Sequence, residues 1–249
     1  MEIMNEAGAA ADVDGDVRGG EGGGLALTVD AGFPEPALDG APQRVDVGDR
    51  EVRVLLTMRN PRIVLFGDFL SAEECDALIE AARSGLRPST VVDQETGNDG
   101  VLDDVRTSNG MFFRRGETEL VARIETRIAR LVNWPVERGE DMQILHYREG
   151  GQYRPHFDFF PPASPGTQLV LQRGGQRVAS VLMYLNEPRG GGGTSFPEIG
   201  VTVSPQRGNA LFFSYPDAHR DVNTLHAGQP VMSGEKWLAT KWLRQGVFT

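Results

Sequence analysis

Residues 142–158 read Met142-Gln143-Ile144-Leu145-His146-Tyr147-Arg148-Glu149-Gly150-Gly151-Gln152-Tyr153-Arg154-Pro155-His156-Phe157-Asp158. Met142 to Tyr147 has the length and apolar content of a short strand, and the glycines that follow it mark a turn. The same pattern continues to the end of the chain, with short strands at Arg177 to Asn186, Val201 to Val203, Asn209 to Ser214 and Lys236 to Gln245, separated by Gly- and Pro-rich turns. Such a series after a helical lead-in predicts a mainly β fold with flanking helices, in the form of a sandwich or jelly roll that carries helices on one side.

The lead-in is also legible. Val52, Val54 and Leu56 alternate as in a strand, and Ile63-Val64-Leu65-Phe66 reads as another after Pro61. Ser71 and Glu74 have the spacing of a capping box, and Cys75, Leu78, Ile79 and Ala82 follow at helical spacing. A second helix runs from about Thr118 to Val132, with Leu120, Val121, Ile124, Ile128 and Leu131 on one face, arginines on the other, and Pro135 ending it. Residues 88–104 and 161–176 are polar or Pro- and Gly-rich and read as loops.

Residues 1–44 are rich in Gly, Ala and Asp and lack periodicity, which predicts a flexible extension in which only Leu25 to Val29 has the composition of a strand. Residues 45–249 are expected to form one domain. Asp12, Asp14 and Asp16 alternate as in a calcium loop, but the acid that would complete it is absent. Gly190 to Gly193 lacks the Gly-Lys-Ser/Thr ending of a phosphate loop and reads as a turn.

The net charge of -10 repels polyanions, so nucleic acid is not an expected partner and a basic peptide is an acceptable one. Cys75 is the only cysteine, which excludes an intramolecular disulfide. With no apolar stretch of membrane-spanning length, a soluble, cytoplasmic protein without a membrane partner is expected.

The chemistry centres on His156-Phe157-Asp158. In an extended chain, residues two apart project to the same face, so an imidazole and a carboxylate stand side by side. One more imidazole would complete a two-histidine, one-carboxylate facial triad with open positions on the metal. His146, His219 and His226 remain as partners; of these His226, followed by Ala227-Gly228 and a further strand, suits a ligand delivered from the opposite side of a sandwich. Lys236 strengthens the case, because an iron-bound keto acid leaves its far carboxylate several ångströms from the metal, where a lysine would hold it. In the strand from Lys236 to Trp242 the even positions share one face, so Lys236 and Trp242 point inward while Lys241 points away.

From about Asn60 to Arg244 the sequence resembles the prolyl 4-hydroxylases of the 2-oxoglutarate oxygenase superfamily. The resemblance is carried by Arg106-Thr107-Ser108-Asn109-Gly110-Met111-Phe112, by Gly151 to Phe159 with Tyr147 before it, by Arg177, by Tyr184-Leu185-Asn186, by Gly192 to Pro197, and by His226-Ala227-Gly228 through Gly234-Glu235-Lys236-Trp237. It implies a double-stranded β-helix core buttressed by N-terminal helices. It implies Fe(II) on His156, Asp158 and His226, with 2-oxoglutarate and O2 as co-substrates and ascorbate as reductant. Lys236, helped by the Tyr147 hydroxyl, would bind the far carboxylate of 2-oxoglutarate, and Tyr153, Arg177 and Trp242 would hold a proline-containing peptide or protein for 4-hydroxylation. His146 departs from the Asn carried by many relatives, and 161–176 has no counterpart in the pattern. The alternatives are the same cofactor chemistry on another residue type or a free amino acid, and a non-catalytic jelly-roll binding module.

Overall fold

The computed structural model describes residues 32–90, 96–97 and 105–249; the strand expected at Leu25 to Val29, the acids Asp12, Asp14 and Asp16 and most of 88–104 lie outside these. Fifteen strands run in chain order among the described residues: β1 (Arg44–Asp46), β2 (Glu51–Met58), β3 (Arg62–Gly67), β4 (Arg87–Pro88), β5 (Asn109–Phe113), β6 (Met142–Tyr147), β7 (Tyr153–His156), β8 (Arg177–Tyr184), β9 (Gly190–Gly191), β10 (Thr194–Phe196), β11 (Val201–Val203), β12 (Ala210–Ser214), β13 (His226–Gly228), β14 (Val231–Ser233) and β15 (Lys236–Arg244). Three helices accompany them, α1 (Ala72–Arg83), α2 (Glu119–Leu131) and the short α3 (Thr167–Leu171), which lies within the loop expected at 161–176.

The major sheet has the order β1-β2-β3-β12-β8-β15-β6-β5-β4, and the minor sheet β11-β10-β13-β7, all antiparallel. Alternation along the strands divides the core in two. On one face of the major sheet, Trp237, Ala239, Val64, Phe66 and Ile144 pack with Cys75, Leu78, Ile124 and Ile128 of the helices. On the other, Leu145, Tyr147, Leu182, Tyr184 and Leu238 meet Phe196 and Val203 of the minor sheet. This is the mainly β, helix-buttressed architecture expected, with the site between the sheets.

The helix signals translate directly. Ser71 Oγ accepts from the Glu74 N–H at 3.1 Å while the Glu74 carboxylate accepts from the Ser71 N–H at 3.0 Å, a complete capping box. Thr118 caps α2 by accepting from the Val121 N–H. Of the arginines expected opposite the apolar face of α2, Arg127 does not lie there, since it is 1% exposed. It stands three residues after Ile124 and four before Leu131, so helix geometry turns it inward. There its guanidinium donates to Glu74, to Asp49 and to the Phe69 carbonyl. The alternation expected in β2 also breaks: a register shift between Val54 and Leu56 leaves Leu55 and Leu56 exposed. Residues 32–43 lie against the domain, with Pro34 and Pro36 buried and the Glu35 N–H donating to the Val132 carbonyl at 2.8 Å.

Candidate active site

The minor sheet builds the centre of the site. His226 of β13 pairs in register with His156 of β7, so two imidazoles 70 positions apart in sequence stand opposite one another, their ring centroids 4.3 Å apart. Asp158 follows two residues after His156. Its Oδ1 lies 3.7 Å from His156 Nε2 and its Oδ2 3.6 Å from His226 Nε2. Among the described residues these three form the one group of potential metal ligands, with one donor atom from each within 4.8 Å of the others. His219 is elsewhere, its exposed side chain accepting from the Asp221 N–H. His146 stacks on Trp237 at 4.2 Å and contacts Glu235, behind the major sheet. Of the three histidines open to the sequence reading, the fold brings His226 to His156 and Asp158.

The surroundings suit a bound cation. Burial, reinforced by the neighbouring His226, pulls the His156 pKa down to about 3. Its Nδ1 faces the Arg154 carbonyl at 2.8 Å, and His226 Nδ1 faces the Thr224 carbonyl at 3.0 Å, which leaves both Nε2 atoms toward Asp158. Burial alone would raise the Asp158 carboxyl, but His226, His156, Arg177 and the Ser180 hydroxyl together hold it below its ordinary value. Phe213 and Phe196 wall His226 with ring centroids 4.8 and 5.9 Å away. The donor set and its charge match the two-histidine, one-carboxylate chemistry of non-haem iron.

Lys236 opens β15, opposite Tyr147 in register, and is 2% exposed. Its ammonium lies 5.6 and 5.8 Å from the ring centres of Tyr147 and Tyr184, and among the described residues it has no carboxylate partner. Burial alone lowers its pKa to about 8. A buried cation without an anion is costly, and a bound anion beside it would offset that cost.

Tyr153 stacks on His156 at 3.5 Å and is covered by the Arg106 guanidinium at 4.9 Å. Arg106 is anchored by donating to Gln143 at 2.7 Å. Trp242 lies at the other end of the inward face of β15, with the Arg177 guanidinium 4.0 Å from its ring centre. Arg177, expected to help hold the peptide, has its donors engaged within the protein. Its Nε and Nη2 donate to the Glu140 carboxylate at 2.6 and 2.8 Å, and its Nη1 donates to the Asp158 carbonyl at 3.2 Å. Glu140 also accepts from Arg244. Glu140, Arg106, Ser180 and Tyr215 were not singled out as site residues from sequence; Arg106 was visible only as part of its motif.

Residues 142–244 match the 2OG-Fe(II) oxygenase superfamily. The chain is 42% identical over 217 residues to prolyl 4-hydroxylase 5 of Arabidopsis thaliana, covering 78% of this chain and 72% of that protein. It is 40% identical over 211 residues to probable prolyl 4-hydroxylase 7 of the same plant, covering 77% and 65% respectively, so it spans about two thirds of the length of such relatives. A viral collagen prolyl hydroxylase from Paramecium Bursaria Chlorella virus-1, solved as a 2OG complex, superposes with a TM-score of 0.57 at 30% identity over 73% of this chain and 95% of that one. The chain belongs to the prolyl 4-hydroxylase family of the 2OG-Fe(II) oxygenase superfamily. Its class of chemistry is accordingly Fe(II)- and 2-oxoglutarate-dependent oxygenation. No described helix is long and apolar enough to cross a membrane.

Proposed function

We propose that the protein hydroxylates prolyl residues, at the 4-position, in a peptide or protein. The observation that carries this reading is the His156, Asp158 and His226 cluster, set between two sheets with the uncompensated Lys236 in the same intersheet layer. His156, Asp158 and His226 would hold Fe(II), and Lys236 with the Tyr147 hydroxyl would hold the far carboxylate of 2-oxoglutarate by charge-assisted hydrogen bonds. When bound, iron and 2-oxoglutarate supply the oxidising equivalent from O2, one oxygen atom passing to substrate and the other to succinate as CO2 is lost. The protein then needs no general base for substrate activation, because a hydrogen atom rather than a proton leaves the substrate carbon. Phe196 and Phe213 exclude water beside His226.

Tyr153, against His156, and Trp242, backed by Arg177, offer flat apolar faces suited to a proline ring. Arg177 would serve the peptide by fixing Trp242, since Glu140 and the Asp158 carbonyl occupy its donors. Residues 45–249 would form the catalytic domain and 1–44 an extension. A reduced, buried Cys75 as the sole cysteine supports a cytoplasmic enzyme, with ascorbate as reductant.

The test is incubation with Fe(II), 2-oxoglutarate, ascorbate and proline-containing peptides, reading succinate and the gain of one oxygen atom by mass spectrometry. Peptide-dependent succinate with oxygen on proline is expected. Efficient hydroxylation of free proline, or of a residue other than proline, would overturn the peptidyl-proline assignment.

A further inference from the structure

Asp158 lies just beyond β7, which ends at His156, so no strand ladder fixes its backbone. Something else must hold a carboxylate that has to face two imidazoles at once. Ser180, in the middle of β8 and wholly buried, donates to Asp158 Oδ2 at 2.5 Å. Its Oγ is also 2.8 Å from the hydroxyl of Tyr215, itself 1% exposed. A serine hydroxyl has one proton, and the ionised carboxylate can only accept. With that proton given to Asp158, the Tyr215 proton must point at Ser180. The chain therefore has a single direction, Tyr215 to Ser180 to Asp158.

We propose that Tyr215 and Ser180 are positioning residues for the metal, a hydroxyl relay that locks the rotation of the Asp158 carboxylate and thereby sets the metal affinity of the site. This rests on the reading of His156, Asp158 and His226 as the ligand set. Ser180 is held from both sides, paired with Phe213 of β12 and Trp242 of β15, so its hydroxyl is as fixed as the sheet itself. Asp158 Oδ2 is occupied by the relay, whereas Oδ1 accepts no hydrogen bond among the described residues and faces His156. The Arg177 contact to the Asp158 carbonyl fixes the backbone, and the relay fixes the carboxylate.

Partners of metal ligands at this remove are worth about 10- to 100-fold in metal affinity. The experiment titrates Co(II) anaerobically into the full-length protein and its variants, reading the dissociation constant by calorimetry and the ligand field by visible absorption, with thermal melts as a fold check. Ser180→Ala is expected to weaken Co(II) binding by about 10- to 100-fold, and Tyr215→Phe less but in the same direction. Because Tyr215 acts only through Ser180, the double variant should bind no more weakly than Ser180→Ala. Ser180→Thr, which keeps the hydroxyl, should restore affinity and spectrum; if it fails to fold, the Tyr215→Phe cycle decides alone. A purely structural role would lower the melting temperature and leave the dissociation constant and spectrum unchanged, which overturns the proposal. Strictly additive losses would also overturn it, since the hydroxyls would then act separately. Asp158→Ala separates the two levels: if it binds Co(II) like the parent, the ligand assignment falls and the relay with it, whereas if it alone loses Co(II), only the relay falls.

Discussion

Lys236 and Lys241 stand five residues apart on one strand, each 2% exposed, and they have opposite surroundings. Lys241 turns toward the helices and donates to Glu125 of α2, whose carboxylate also accepts from the Gly116 N–H at 2.8 Å. Lys236 turns between the sheets, where its ammonium lies near the rings of Tyr147 and Tyr184 and has no carboxylate partner among the described residues. Burial lowers both lysines, but for Lys241 a carboxylate works against it. A buried charge with its counter-ion in place is balanced within the scaffold, and one without is a candidate site for a charged ligand. The strand thus joins a closed electrostatic balance on its helix side to an open one on its site side.

The largest expected effect removes the reason for the open side. Asp158→Ala or His226→Ala should abolish succinate formation while the thermal transition stays cooperative, because each deletes a proposed metal ligand and neither removes a side chain of the two apolar clusters. Activity within a few-fold of the parent in either variant would strike that residue from the ligand set. His219→Ala, remote and exposed, should leave turnover essentially unchanged.

Next in size is the closed side. Lys241→Ala leaves the Glu125 carboxylate buried without its cation, a loss of roughly 3 to 5 kcal/mol in the stability measured by urea denaturation. The double variant Lys241→Met/Glu125→Leu should recover most of that loss, as apolar replacement of a buried pair often does. A neutral Lys241→Ala would show that the pair is not what separates the two lysines.

Lys236→Met sharpens the contrast. Removing an uncompensated buried cation should leave stability unchanged or improved, while the 2-oxoglutarate KM rises about 10- to 100-fold, as expected for a charge-assisted bond of roughly 1.5 to 3 kcal/mol. An unchanged KM would mean that the carboxylate is held elsewhere.

The two sides were not equally legible in the sequence. Periodicity and turns located β6, β8, β11, β12 and β15, and the even spacing from Lys236 to Trp242 assigned their common face, because these are local properties of one strand. The spacing of His156 and Asp158 was legible for the same reason. The choice of His226 needed the pairing of β13 with β7, which the family resemblance anticipated and the fold then supplied. What stayed hidden was the identity of long-range partners. Nothing near Arg127 in sequence announces Glu74 and Asp49, and nothing near Arg177 announces Glu140, so the first was placed on the face opposite the apolar stripe and the second was assigned to the peptide. Ser180 looks like an ordinary strand residue, and Tyr215 like the residue after one, until the fold links them to Asp158.

The smallest expected effect uses pH to distinguish the two lysines without removing either. In the free enzyme Lys236 loses its proton at about 8, against an ordinary value of 10.5. Below pH 8 the ammonium is ready for the carboxylate of 2-oxoglutarate. Above it, binding must also take up a proton, so affinity falls up to tenfold for each further pH unit, and KM at pH 9 should be about tenfold above its plateau. Stability moves the other way. Between pH 8 and 10.5 the unfolded chain keeps the proton that folded Lys236 has released, so this group's contribution to folding free energy rises with pH across that window. Lys236→Arg, charged throughout, should flatten the KM profile, and comparing its urea midpoints with the parent's isolates the lysine from other groups that titrate there. A parent KM that is level from pH 7 to 9 would mean that the ammonium keeps its proton, and hence that an anion already compensates it as Glu125 compensates Lys241.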